Sequence, residues 1–156
     1  MRVIKYKTVL DECRKLAVLE KVVSVNYRDM ENDFSTPSKV VWFAKDFLKL
    51  DREAEEYMYV LCLNNKNRMT CLFELSHGSI SQITICIREL FQKVLLANSS
   101  RFILIHNHPS GDSYPSHDDL TITMKIEEGG LLLQVPLVDH VIVGVDYYSF
   151  KENGDI

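Results

Sequence analysis

Arg101-Phe102-Ile103-Leu104-Ile105-His106-Asn107-His108-Pro109-Ser110-Gly111-Asp112-Ser113-Tyr114-Pro115-Ser116-His117-Asp118-Asp119 is the stretch from which the rest of the chain is read. Residues 101–106 are an apolar run of strand length that delivers His106 at its end. Side chains alternate along extended backbone, so His106 and His108 can present both imidazoles to one point. Pro109 keeps His108 extended, and Gly111 with the Asp-Ser-Tyr-Pro run lets the chain turn back. A helix is expected to begin at Ser116, which puts Asp119 one turn inside it. Two imidazoles and a carboxylate leave a fourth tetrahedral position open, the ligand count of a catalytic zinc site rather than a structural one.

Working outward, residues 56–63 read as a buried strand, Asn64-Asn65-Lys66-Asn67 as a turn, and 68–75 as the returning strand of a hairpin. Ile87, Leu90, Phe91, Val94 and Leu95 recur at helical spacing and predict a helix over about 86–98. The helix opened at Ser116 should stop at Gly129-Gly130, followed by strands near 132–136, 139–144 and 147–150. Upstream, Ser35-Thr36-Pro37 is a helix start, and that helix carries Val41, Ala44, Phe47 and Leu48, with Trp42, Phe43 and Phe47 as core. Leu10, Leu16, Val18 and Leu19 suggest a short amphipathic helix within 8–22, and 23–35 is polar and turn-rich. Interleaved helices, strands and hairpins predict an α/β sandwich with a mixed sheet rather than a doubly wound one. Residues 1–34 are read as an N-terminal extension and 35–156 as the main domain.

The 156 residues suit one domain with a continuous core. No apolar run approaches the roughly 20 residues that span a bilayer, and Lys5 and Lys7 interrupt any leader-like stretch, so a cytoplasmic protein without membrane contact is expected. Cys13, Cys62, Cys71 and Cys86 form no CxxC pair, which excludes a thiolate zinc site and a disulfide framework. Residues 1–28 hold seven Lys/Arg against three Asp/Glu, while the rest holds eleven against nineteen. The body is therefore acidic, and only the N-terminal segment offers a weak basic patch for nucleic acid.

A water on such a metal still needs a base to take its proton. Glu74 is the candidate, because a carboxylate at the end of the apolar run Leu72-Phe73-Glu74-Leu75 must be paired, exposed or functional. Asp118 is expected to face solvent as a helix N-terminal charge. His77 and His117 read as loop residues, Asp112 as part of the turn, and His140 as a supporting or structural residue.

An upstream Glu, then His-x-His-Pro, then Ser-x-x-Asp resembles the JAMM signature of the JAB/MPN metalloprotease superfamily. Glu74-Leu75-Ser76-His77-Gly78-Ser79-Ile80, His106-Asn107-His108-Pro109-Ser110-Gly111, Pro115-Ser116, 135–144 and Tyr147-Tyr148-Ser149-Phe150 together resemble the bacterial RadC family over about residues 35–156. The resemblance implies a mixed β-sheet flanked by helices in a cytidine-deaminase-like three-layer arrangement. It also implies one Zn2+ ion held by His106, His108 and Asp119, Glu74 as acid/base, and Ser116 steadying a tetrahedral intermediate. The implied activity is hydrolysis of a peptide or isopeptide bond in a peptide or protein substrate. A DNA-repair accessory role and a non-enzymatic partner-binding module are the alternatives. RadC proteins often carry an N-terminal DNA-binding helical module, for which 34 residues are too few. A homo-oligomer is compatible with the sequence.

Overall fold

Seven strands form one mixed sheet in the computed structural model, which describes residues 1–13, 15–28, 31–78 and 85–156. The strands are β1 (Arg2–Leu10), β2 (Ala17–Asn26), β3 (Glu56–Leu63), β4 (Met69–Gly78), β5 (Arg101–Asn107), β6 (Leu137–Val143) and β7 (Tyr147–Ser149). Their spatial order is β2-β1-β4-β3-β5-β6-β7. The helices are α1 (Pro37–Asp46), α2 (Ile87–Leu96), α3 (His117–Leu132) and the short α4 (Phe150–Asn153). The β5 strand runs antiparallel to β3 and parallel to β6, and β1 is parallel to β4, so the sheet is mixed as expected.

Alternation along the strands sorts the core into two faces. Tyr59, Leu61, Ile103, Ile105 and Leu72 pack with Val40, Phe43 and Ala44 of α1. Val60, Cys62, Phe73, Phe102 and Leu104 pack with Leu90, Phe91 and Val94 of α2 and Ile126 of α3. The result is three layers, with helices on both sides of the sheet. Trp42 was expected inside but is 41 % exposed, with its ring tilted against Tyr27. Cys62 and Cys71 are buried free thiols paired across β3 and β4. No helix among the described residues is long and apolar enough to cross a membrane.

The structure also corrects the reading of several elements. First, the ends of the expected helix within 8–22 lie instead in the paired strands β1 and β2, and β2 also takes in residues 23–26 of the segment read as turn-rich. The Leu spacing that suggested it straddles the hairpin turn, and Val18, Val22, Val23 and Val25 favour strand through their stiff χ1. Second, α3 does not stop at Gly129-Gly130 but runs through both to Leu132. These glycines serve close approach: a Cβ on Gly129 would lie 2.7 Å from the Phe91 ring, and one on Gly130 would lie 2.9 Å from the Val135 carbonyl oxygen. Third, 132–136 is therefore a helix end and a turn, not a strand. Fourth, α4 was not expected. Of the motif residues, Ser79 and Ile80 lie outside the described residues, as do residue 14 of the expected helix and residues 29 and 30 of the turn-rich segment.

Candidate metal centre

The site assembles where β5 ends and α3 begins. His106 continues the Phe102–Leu104 row, so its fully buried ring faces the α2/α3 side. His108 follows, with its backbone N–H donating to the Val143 carbonyl at 2.9 Å. The Gly111 N–H donates to the His108 carbonyl at 2.9 Å, closing a turn in which Gly111 takes a φ of 85°, a left-handed value that favours glycine. The His108 ring is held in turn by Nδ1, which donates to the Asp112 carbonyl at 2.7 Å.

Ser116 caps α3 and aims Asp119. The Asp119 N–H donates to Ser116 Oγ at 3.1 Å, while the Ser116 N–H and hydroxyl donate to Asp119 Oδ2 at 2.8 and 2.6 Å. This reciprocal capping box fixes the carboxylate that the sequence placed one turn into the helix. Asp118 and His117 are exposed on the same turn.

His106 Nε2 lies 3.0 Å from His108 Nε2 and 3.4 Å from Asp119 Oδ1, and His108 Nε2 lies 3.5 Å from Asp119 Oδ2. Donors bound to one tetrahedral zinc stand about 3.3 Å apart. The three sequence-predicted ligands are thus at coordination spacing, and their two-imidazole, one-carboxylate chemistry suits that ion. A fourth group joins them: Glu56 Oε1 is 3.8 Å from His106 Nε2, and ligand atoms of all four residues lie within 4.8 Å of one another.

Protonation follows from the surroundings. Burial, reinforced by His140 and His108, keeps the His106 pKa well below its ordinary value. The Asp119 carboxylate raises that of His108 against the opposing effect of burial. For Asp119, burial is outweighed by His108, His106 and Ser116, so its carboxyl is held well down. Burial raises Glu56, with His108 opposing and Asp119 adding to the effect.

Glu74 is not brought to this group. It pairs with Tyr59 across β4 and β3, on the α1 face of the sheet, whereas His106 faces α2 and α3. Its carboxylate accepts from Lys5 Nζ at 2.7 Å and contacts His77 Nδ1 at 3.0 Å. Burial raises the Glu74 pKa, but Lys5 and His77 outweigh it and the net direction is down, opposite to Glu56. The carboxylate next to the centre is therefore Glu56, and Glu74 belongs to an ion-paired cluster on the other face. Glu56 escaped the sequence reading because Asp51, Glu53 and Glu55 precede it, and nothing in such an acidic run singles out one member.

A family model described as RadC-like JAB domain matches residues 34–155, nearly the whole chain. The chain belongs to the RadC-like JAB domain family. A UPF0758 protein of Methanosarcina barkeri is 36 % identical over 133 residues, covering 81 % of this chain and 58 % of that protein. A UPF0758 protein of Chlorobium phaeovibrioides is 38 % identical over 105 residues, 67 % of this chain and 47 % of the relative. One from Desulfitobacterium hafniense is 32 % identical over 148 residues, 90 % and 64 % respectively. The chain thus spans less than two thirds of the length of each of these relatives.

Within this RadC-like domain, two further residues support the centre. Asn107, almost fully buried between the two histidines, accepts from the Tyr57 N–H at 2.8 Å and donates to the Glu55 carbonyl at 3.0 Å. It therefore grips the backbone on both sides of Glu56. His140 reaches His106 from β6, with Nε2 at 2.8 Å from His106 Nδ1. A cavity of about 460 Å³ opens beside His108, lined in part by Leu50, Asp51, Glu53, Pro109 and Val145.

Proposed function

We propose that this RadC-like JAB domain is a zinc-dependent hydrolase acting on a peptide or isopeptide bond, with His106, His108 and Asp119 as the metal ligands. The observation that carries the reading is the convergence of those three donors at 3.0 to 3.5 Å beside a fourth, largely buried carboxylate. A zinc ion held there would supply Lewis acidity and a water whose pKa falls towards about 7.

The rest of the chemistry falls to the chain. Glu56 is the acid/base: its side chain is 12 % exposed, its carboxylate stands beside the three donors, and burial raises its pKa. Glu74, whose carboxylate is bound by Lys5, has no part in this reading. Ser116 donates its one hydroxyl proton to Asp119, so its role is to orient that ligand rather than to stabilise an oxyanion.

Elemental analysis of purified protein, joined to hydrolysis assays on a panel of peptide and isopeptide substrates, tests the proposal. Near-stoichiometric zinc in the wild type, lost together with turnover in His106→Ala, is the expected result. Equal zinc in both proteins would contradict the ligand set. The DNA-repair reading rests on family membership and on the weakly basic first 28 residues, against an acidic remainder. A salt titration of DNA binding separates the two, since phosphate contacts produce a steep decline with salt.

A further inference from the structure

We infer that His140, backed by Thr123, fixes the tautomer of His106 so that its Nε2 lone pair faces the space between His108 and Asp119; neither residue is itself a ligand. This rests on the metal-site reading above.

His106, His140 and Thr123 are each 0 % exposed, so their protons can be assigned from their mutual contacts alone. Thr123 Oγ1 lies 2.6 Å from the Asp119 carbonyl oxygen, one turn earlier in α3. A carbonyl only accepts, so the single hydroxyl proton is committed there. The same Oγ1 lies 2.6 Å from His140 Nδ1. With its proton spent, the hydroxyl accepts, and His140 carries its proton on Nδ1. The His140 Nε2 atom then holds a lone pair 2.8 Å from His106 Nδ1, so His106 must be the donor in that contact. This leaves His106 Nε2 without a proton.

The relay starts at one proposed ligand and ends on the backbone of another. Its direction is anchored by a carbonyl, which cannot reverse its role. Phe150 stacks on the His140 ring at 4.8 Å and 13°, holding it in the plane the relay needs. His108 is set independently, because its Nδ1 donates to the Asp112 carbonyl. In its neutral form His108 thus also turns an Nε2 lone pair to this point, 3.0 Å from that of His106 and beside the Asp119 carboxylate, an arrangement that calls for a cation between them. Without the Thr123 hydroxyl, His140 Nδ1 loses its acceptor. His140 can then protonate at Nε2 and donate to His106, which drives the His106 proton onto Nε2 and into the metal position.

The test pairs Thr123→Val with Thr123→Ser. Zinc affinity is read by competition with a chromophoric chelator, and imidazole tautomers by 15N-edited NMR of the metal-free proteins. Thr123→Val should weaken zinc about tenfold to a hundredfold, the usual effect of losing a partner behind a metal-ligating histidine, while Thr123→Ser stays within about threefold of wild type. The spectra should show His106 protonated at Nδ1 in wild type and Thr123→Ser, and at Nε2 in Thr123→Val. Undiminished zinc affinity in Thr123→Val, or a wild-type His106 protonated at Nε2, overturns the inference. If Thr123→Val fails to fold, wild type and Thr123→Ser still decide the tautomer. If wild type binds no zinc, the metal reading fails while the spectra still report on the relay.

Discussion

Replacing Glu56 by Gln tests whether a proton carrier stands beside the three proposed ligands. The substitution keeps the size and shape of the side chain but replaces one acceptor oxygen by an amide donor and removes its ability to take up a proton. General acid–base catalysis contributes about 10²–10⁴-fold, equivalent to about 3–5 kcal/mol of barrier, so turnover should fall by that factor. Zinc should stay. Glu56 Oε1 is 3.8 Å from His106 Nε2, whereas Asp119 Oδ1 is at 3.4 Å, so Glu56 lies outside the tightest donor set. Removing its charge should weaken zinc by about tenfold at most, the low end of what partners outside the ligand set contribute. Glu74→Gln is the paired control. It removes a partly buried ion pair with Lys5, a contact worth about 0–1 kcal/mol of stability, and should leave zinc and turnover unchanged. Metal content by elemental analysis, turnover on the substrate panel and melting temperature would be measured for both variants. Loss of turnover in Glu74→Gln with full activity in Glu56→Gln would refute the assignment.

Three further outcomes are expected. Asn107→Ala strips partners from the Tyr57 N–H and Glu55 carbonyl, which should cost about 1–3 kcal/mol; turnover should fall more than zinc content, and unchanged melting and turnover would contradict the grip on Glu56. Gly130→Ala gains about 1 kcal/mol of helix propensity but sets a Cβ 2.9 Å from the Val135 carbonyl oxygen, an overpacking cost of about 1–3 kcal/mol; a urea midpoint at or above wild type would show that the backbone there yields. In the metal-free protein, burial pushes His140 down to about 4 from an ordinary 6.5, with Asp119 opposing. Its folded pKa is depressed, so the unfolded chain binds the extra proton. The stability from His140 is complete above pH 6.5 and falls by about 1.4 kcal/mol per pH unit towards pH 4. Equilibrium unfolding across that window should show a shallower decline in His140→Gln, and an identical slope would count against the assignment.

Local patterns in this chain were legible wherever short-range geometry suffices. The hairpin of β3 and β4, the helix start at Thr36-Pro37 and the capping box at Ser116 depend on neighbours a few residues apart. The N-terminal hairpin was misread because leucines on two antiparallel strands can mimic a helical spacing. Gly129 and Gly130 were misread because a glycine that ends a helix and one that admits a neighbouring ring look alike in sequence. Only the position of Phe91 and of the Val135 carbonyl separates the two cases.

The same division runs through the site. By itself the sequence indicated that His106, His108 and Asp119 converge, because strand alternation, a proline, a turn and a helix cap bring them together within one continuous segment. Tertiary structure decided which carboxylate joins them. Carried on without a break, the Met58–Ser76 register would set Glu74 opposite Val60, on the face His106 occupies. The bulge between Met58 and Tyr59 pairs it with Tyr59 instead. One extra residue in β4 flips the side chain through the sheet, and leaves Glu56, at the start of the strand paired with β5, as the acid beside the histidines.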